Sequence, residues 1–155
     1  MRSVSQSRNI LITNKNIYNF RETGFITNAL SLFNSSAKVK RKISLKKVEG
    51  IVYSEMSNEF MFYVPSEFDY RFMNEKKDVI IMYLLYGMTM SGIKSVPFFF
   101  TKEVELHQFT THNSQKNNGI INKPPQDRVK MFGVKDFEEY VKEKLLEKRR
   151  MDENT

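Results

Sequence analysis

Few side chains in this sequence of 155 residues have the types and spacing that catalysis requires. The two histidines, His107 and His112, are predicted on a strand and in a loop, and no cysteine accompanies them, which disfavours a metal site. The absence of cysteine also excludes disulfides and thiol chemistry. The sequence has neither a phosphate-binding Gly-Lys-Ser/Thr loop nor a glycine-rich dinucleotide motif. We therefore predict that the chain is not an enzyme and uses no metal or cofactor.

Two pairs of carboxylates lie close together in the sequence. Glu67 and Asp69 alternate with aromatic residues, which predicts that both carboxylates point to solvent from a strand. The same interpretation applies to Glu103 and Glu105. An exposed carboxylate keeps its ordinary pKa and is a poor acid–base catalyst. We interpret both pairs as surface charge.

Positive charge is concentrated in the first third of the chain. The net charge is +7, and residues 1–50 contain ten lysines and arginines against two glutamates. The run KVKRK (38–42) is the densest part of this cluster. It is typical either of a solvated edge strand, whose lysines oppose aggregation, or of a phosphate-binding face. The pattern also allows four further cations to share one end of a small sheet: Arg8, Lys15, Lys46 and Lys47.

Alternating apolar residues predict the strands that would carry these cations. NILIT (9–13) and NIYNF (16–20) flank the turn signal Asn14-Lys15, which predicts a hairpin. The other strands are predicted within 38–54 (two, with a bend near Gly50), 59–64, 68–72, 96–102 and 104–111.

Helices are predicted at three places. EKKDVIIMYLLYGM (75–88) follows Asn74, a suitable N-cap, and should end near Gly87. Its apolar run is too short to span a membrane, which takes about 20 residues, so we interpret it as a buried helix. A terminal helix is predicted from residue 134 to about 150, with an apolar stripe of Val134, Phe137, Val141 and Leu145.

The third helical pattern lies in the uncharged stretch 23–37, where apolar residues recur at a spacing of four: Phe25, Ile26, Leu30 and Phe33. A helix that covers one face of the sheet is the interpretation we favour. Alternatively, apolar side chains beside a basic cluster could insert into a membrane surface while the cations attract anionic headgroups. Nucleic acid is a disfavoured partner, because the aromatic residues alternate as core residues and not as exposed stacking platforms.

Together these elements predict an α+β protein that is mainly β. We expect a small antiparallel sheet or partly open barrel, capped by a helix and followed by a C-terminal helix. One domain would cover residues 1–132, with an inserted segment at 21–37, and residues 133–155 would form the terminal amphipathic helix and tail.

Three stretches resemble the tail-homology domain of class I myosins: RNILITNKNIY (8–18), KVKRKISLKKVEGIVYS (38–54) and NEFMFYVPSEFDYRF (58–72). VELHQFTT and NKPPQDRVKMF resemble the family's distal strands, so the resemblance covers about residues 8–132. It implies a pleckstrin-homology-like fold that binds phosphoinositide headgroups through a basic pair, of which Arg8 matches the arginine. Since seven residues precede Arg8, we expect the family's first strand, with its lysine, to be missing. The segment 21–37 is longer than the family's connection.

The cations and the resemblance lead to one functional expectation and one alternative. We expect a cytoplasmic, cytoskeletal or peripheral membrane module that binds anionic phospholipid headgroups. The predicted lipid-binding residues are Arg8, Lys15, Lys38, Lys40, Arg41 and Lys42. The alternative is a protein-interaction module in a cytoskeletal or signalling assembly, with the segment 24–33 or the terminal helix as its contact.

Overall fold

The first sheet contains the predicted hairpin and one further strand. In the computed structural model, which describes residues 7–21, 39–67, 70–106 and 124–155, β1 (Arg8–Ile12) pairs antiparallel with β2 (Asn16–Arg21). Thr13 fixes the turn, because its Oγ1 accepts hydrogen bonds from the backbone N–H groups of Lys15 and Asn16. β3 (Val39–Ser44) pairs antiparallel with β2, so the strand order is β1-β2-β3. The predicted hairpin is therefore confirmed.

The second sheet, as far as the structure describes the chain, has five strands in the order β6-β5-β4-β7-β8. β4 (Gly50–Ser54), β5 (Glu59–Tyr63) and β6 (Tyr70–Met73) form an antiparallel meander, while β7 (Val96–Thr101) lies parallel to β4 and β8 (Arg128–Phe132) lies antiparallel to β7. The strand predicted at 104–111 is wrong for residues 104–106, which are not in a strand, and its remainder lies outside the described residues.

A turn at Pro65 follows β5, which ends at Tyr63. The backbone N–H of Glu67 donates to the carbonyl of Val64 at 3.1 Å, which places Pro65 at the second position of a turn. Proline suits this position, because its ring fixes φ and no ladder hydrogen bond needs its missing N–H.

Two α-helices and a short 3-10 helix complete the described structure. α1 (Lys77–Met90) begins later than the predicted N-cap implies, because Asn74 lies in the preceding turn, where its Oδ1 accepts from Lys76 N at 2.8 Å. It also ends three residues beyond Gly87. α2 (Val134–Glu153) is the predicted terminal helix, and the 3-10 helix (Leu45–Lys47) forms the bend between β3 and β4.

The core lies where one face of the second sheet meets the first sheet and both helices. Its largest fully buried side chains are aromatic: Tyr53, Phe60, Phe62, Phe98, Phe100 and Phe137. Ile17 and Ile43 cover this layer from the first sheet, and Ile81 and Leu84 cover it from α1. The opposite face of the second sheet buries a smaller cluster of Val52, Met61, Phe99 and Leu106.

The chain is therefore an α+β protein, mostly strands in antiparallel sheets, with one internal helix and a C-terminal helix. The strands of residues 7–21, 39–67, 70–106 and 124–155 form two sheets that do not close into a barrel. None of the helices within the described ranges is long and apolar enough to cross a membrane. The helix predicted in the inserted segment, both histidines and Asp69 lie outside the described residues.

Candidate anion-binding surface

The first sheet and its 3-10 helix are built from a stretch of sequence without acidic residues. Residues 7–21 contain three cations and residues 39–47 contain five, and neither range contains Asp or Glu. Arg8 lies opposite Arg21 at one end of the hairpin, whereas Lys15 lies in the turn at the other end. The five residues of β1 separate these ends by about 17 Å at 3.4 Å per residue. The prediction that Arg8 and Lys15 share one end of the sheet is therefore wrong.

β3 divides the KVKRK cations between its two faces. Lys40 and Lys42 are exposed, while Ile43 is fully buried and Arg41 is half-buried on the same face as Ile43. The Nζ of Lys42 lies 5.7 Å from the centre of the Tyr18 ring on the neighbouring strand, within reach of a cation–π contact. The exposed row of β3 therefore presents Lys40 and Lys42 to solvent.

Arg41 faces the second sheet. Its Nη2 lies 3.2 Å from Oε2 of Glu67, its Cζ lies 3.8 Å from the centre of the Tyr70 ring, and its side chain is only 13% exposed. The Lys47 ammonium lies 2.9 Å from the other Glu67 oxygen. The prediction that Glu67 is an unperturbed surface carboxylate is wrong, because the hydrogen bond from Lys47, aided by Arg41, holds its pKa below the usual range.

Arg8 lies in a separate cleft between β1 and β6. This cavity of about 490 Å³ is also lined by Asn19, Tyr70 and Arg71. Burial raises the pKa of the Tyr70 hydroxyl to about 12. A carboxylate enters the cleft as well, since Glu59 Oε1 lies 3.9 Å from Nε of Arg71. The cleft is therefore mixed in charge, unlike the exposed surface of β3.

A second polar cavity lies at the turn end of the hairpin. We call it the turn pocket; it has a volume of about 430 Å³ and is lined by Asn14, Lys15, Asn16, Ser44, Lys46, Met90 and Ser91. Ser44 alternates with Lys42 on β3, so the pocket lies next to the exposed Lys42. Lys40, also exposed, lies beyond a register shift of the β2–β3 pair. We name the exposed lysines Lys15, Lys40, Lys42 and Lys46 the basic face.

An apolar groove runs between α1 and α2. The groove has a volume of about 320 Å³, and its walls include Val79, Tyr83, Tyr86 and Val141. Tyr83 is 64% exposed, which is unusual for an aromatic side chain of a packed helix. The Tyr86 hydroxyl lies 3.1 Å from Oε1 of Glu138, which joins the two helices across the groove.

A buried lysine joins the start of α1 to the second sheet. Lys77 is 7% exposed, and its Nζ donates to the carbonyls of Ser54 at 2.6 Å and Ser57 at 2.7 Å. The pKa of Lys77 is lowered to about 8, chiefly by burial. The Asp78 carboxylate opposes this shift, and the Lys144 ammonium adds to it. The lysine thus satisfies backbone carbonyls at the β4–β5 connection, a structural task that the sequence pattern of a buried helix does not indicate.

A polar cluster beside this lysine holds α2 against α1. The Tyr53 hydroxyl donates to Oδ1 of Asp78 at 2.7 Å, and the Lys144 ammonium donates to Oδ2 of Asp78 at 3.0 Å and to the Tyr53 oxygen. Burial, followed by the Asp78 carboxylate, raises the pKa of the Tyr53 hydroxyl above its usual range. The Tyr53 hydroxyl therefore stays protonated and acts as a hydrogen-bond donor.

The remaining predicted site residues lie outside the described residues: Lys38, Phe25, Ile26, Leu30 and Phe33. Lys46 is not among the predicted lipid-binding residues, although it follows KVKRK by only four residues. The 3-10 helix brings it beside Lys15, because Leu45 N donates to the Lys15 carbonyl at 2.9 Å. Comparisons with models of known protein families, with curated proteins and with solved structures give no match to this chain.

Proposed function

We propose that this chain is a non-catalytic module that binds anionic phospholipid headgroups at a membrane surface through its basic face. The observation that carries this proposal is the charge of the first sheet, where eight cations occur in residues 7–21 and 39–47 without any acidic residue. Four of them, Lys15, Lys40, Lys42 and Lys46, are exposed, and Lys15 and Lys46 line the turn pocket together. Each basic residue close to an anionic membrane contributes about 1 kcal/mol.

The other two described cations from the predicted lipid-binding set have different surroundings. Arg41 contributes to the positive field, but its guanidinium is engaged by Glu67 and the Tyr70 ring. Arg8 lies in the cleft at the far end of β1. We therefore assign membrane contact to the basic face. The resemblance to the tail-homology domain of class I myosins supports the general class of ligand.

Vesicle co-sedimentation tests the proposal. Vesicles with 30% phosphatidylserine, which is on the order of the content of an anionic leaflet, should bind the chain at low salt and release it as salt rises, because salt screens exposed charges. Charge reversal in Lys40→Glu/Lys42→Glu should weaken binding more than tenfold. The matched control, Lys102→Glu/Lys130→Glu, makes the same charge change at exposed positions outside the basic face and should weaken it far less. Equal losses in the two variants, or no binding to anionic vesicles at low salt, would refute the proposal.

A protein-interaction function is the second candidate, and the apolar groove between α1 and α2 favours it. Val79, Tyr83, Tyr86 and Met90 recur along α1 at helical spacing, and all four are exposed. Self-association through this groove would appear as a sedimentation coefficient that rises with concentration and that Tyr83→Glu restores to the monomer value. A monomer at every concentration would count against this form of the second candidate.

A further inference from the structure

The turn pocket has the composition of a phosphate-binding site. Among the described residues its two charged lining residues, Lys15 and Lys46, are both cations, and no described carboxylate lines it. Its remaining polar walls include the Ser44 hydroxyl and asparagine amides, which can donate hydrogen bonds to phosphate oxygens. The volume of about 430 Å³ lies within the range of small-molecule sites.

The backbone around the pocket is fixed by hydrogen bonds. Thr13 Oγ1 holds the N–H groups of Lys15 and Asn16, and Leu45 N donates to the Lys15 carbonyl at 2.9 Å, which ties the turn to the 3-10 helix. Ser44 Oγ accepts from Lys46 N at 3.4 Å, so its own hydroxyl hydrogen is left for another acceptor. The two lysine backbones are thus held side by side before any ligand arrives.

The end of α1 forms the third wall of the pocket. Gly87 permits this close approach, because a Cβ atom at this position would lie 2.7 Å from the Thr13 carbonyl oxygen. The Ser91 hydroxyl donates to the Asn14 carbonyl and joins the helix end to the turn. The carbonyls of Gly87, Met88 and Thr89, which would repel an anion, already accept hydrogen bonds from the residues that follow the helix.

We propose that the turn pocket binds a phosphomonoester group, with Lys15 and Lys46 as its cations and the Ser44 hydroxyl as a hydrogen-bond donor. This inference rests on the proposed function and locates the headgroup phosphate within the basic face. It places the phosphate about 17 Å from Arg8, at the opposite end of β1. Met90, which is 75% exposed at the rim, offers an apolar contact to the part of the ligand that carries the phosphate.

A titration with soluble inositol 1,4,5-trisphosphate, followed by backbone amide NMR, tests this inference. We expect saturable shifts at Lys15, Ser44, Lys46 and Ser91. Lys15→Ala/Lys46→Ala should weaken binding tenfold or more, since two cations near the phosphate are lost. Lys40→Ala/Lys42→Ala, which removes the same charge from the rest of the basic face, should change affinity less than threefold. All four lysines are exposed, and an unchanged amide spectrum elsewhere confirms that each variant folds.

Two vesicle preparations of equal negative charge, one with phosphatidylserine and one with a phosphatidylinositol monophosphate, separate this inference from the proposed function. Tighter binding to the second preparation, lost in Lys15→Ala/Lys46→Ala, would support both. Equal binding to the two, without any shift by the soluble trisphosphate, would overturn the phosphate site and leave the lipid-binding proposal standing. Saturable binding of the trisphosphate without binding to either vesicle would support the pocket as a site for a soluble phosphorylated ligand and refute the membrane proposal.

Discussion

Arg41 and Glu67 meet across the two sheets, with Nη2 of the arginine 3.2 Å from Oε2 of the carboxylate. Arg41 belongs to β3 of the first sheet, while Glu67 lies in the connection between β5 and β6 of the second. The guanidinium also lies over the Tyr70 ring, so three parts of the chain converge at this point. The pair distinguishes the inward-facing Arg41, which joins the sheets, from the exposed Lys40 and Lys42 of the same run.

Glu67→Gln removes the ion pairs with Arg41 and Lys47 and should therefore reduce the free energy of unfolding at pH 7. The loss should be only about 0.5–1 kcal/mol, because these ion pairs are partly exposed to solvent. The pKa of Glu67 is lowered in the folded protein, so its stabilisation is present above the usual carboxyl range near pH 4.3. It is lost as the pH falls through the lowered folded-state pKa. Urea unfolding at pH 7 and pH 3 should show a larger difference between the two proteins at pH 7.

The exposed Glu49 provides the control for this experiment. Glu49→Gln removes a carboxylate for which the structure shows no side-chain ion pair within the described residues, so its effect should be small at both pH values. A Glu67→Gln effect that is the same at pH 7 and pH 3 would show that the ion pairs do not contribute.

The strands could be predicted because apolar residues at every second position mark the side chains that point into the core. Phe60 and Phe62 are examples. The parallel pairing of β4 with β7 could not, since Val52 and Phe99 meet across the sheet although many residues separate them in sequence. The inward position of Arg41 could not be predicted either, because its partner Glu67 lies in the connection between β5 and β6. An alternating pattern assigns residues to faces but does not identify a partner that lies elsewhere in the chain.

Lys77→Met should destabilise the protein by about 1–3 kcal/mol at pH 7, because the carbonyls of Ser54 and Ser57 lose their buried donor. The pKa of Lys77 is about 8 in the folded protein, below its usual value of 10.5. Between these values the unfolded chain binds more protons than the folded protein, so Lys77 makes stability rise with pH there. The difference in unfolding free energy between wild type and Lys77→Met should therefore widen from pH 8 to pH 10.

The neighbouring Lys76 is a matched control, because it is exposed and stands directly before α1. Lys76→Met should leave unfolding unchanged within about 0.5 kcal/mol and should not alter the pH dependence. A difference between wild type and Lys77→Met that stays constant from pH 8 to pH 10 would contradict the lowered pKa.

Gly50→Ala should destabilise the second sheet by about 1–3 kcal/mol, as overpacking of a core does. A Cβ atom at Gly50 would lie 2.4 Å from Cε2 of Phe99 and 2.9 Å from the Pro97 carbonyl oxygen. Chemical unfolding of Gly50→Ala, Phe99→Leu and the double variant tests this contact. The double variant should lose less stability than the sum of the single losses, because the smaller side chain relieves the clash. Strict additivity would show that the ring of Phe99 is not what excludes a side chain at Gly50.

Phe137→Ala should cost about 3–5 kcal/mol, whereas Leu145→Ala should change stability by less than about 0.5 kcal/mol. The two residues belong to the same predicted stripe of α2, but Phe137 is fully buried against Phe98, with ring centres 5.2 Å apart, while Leu145 is 53% exposed. The apolar stripe continues past the part of α2 that packs on the core. Helical spacing alone therefore predicts more contact between α2 and the core than the structure shows. Thermal or chemical unfolding measures the free energies, and amide hydrogen exchange should show that α2 loses protection only in Phe137→Ala. Similar losses in the two variants would mean that Leu145 is packed and that α2 is docked along more of its length.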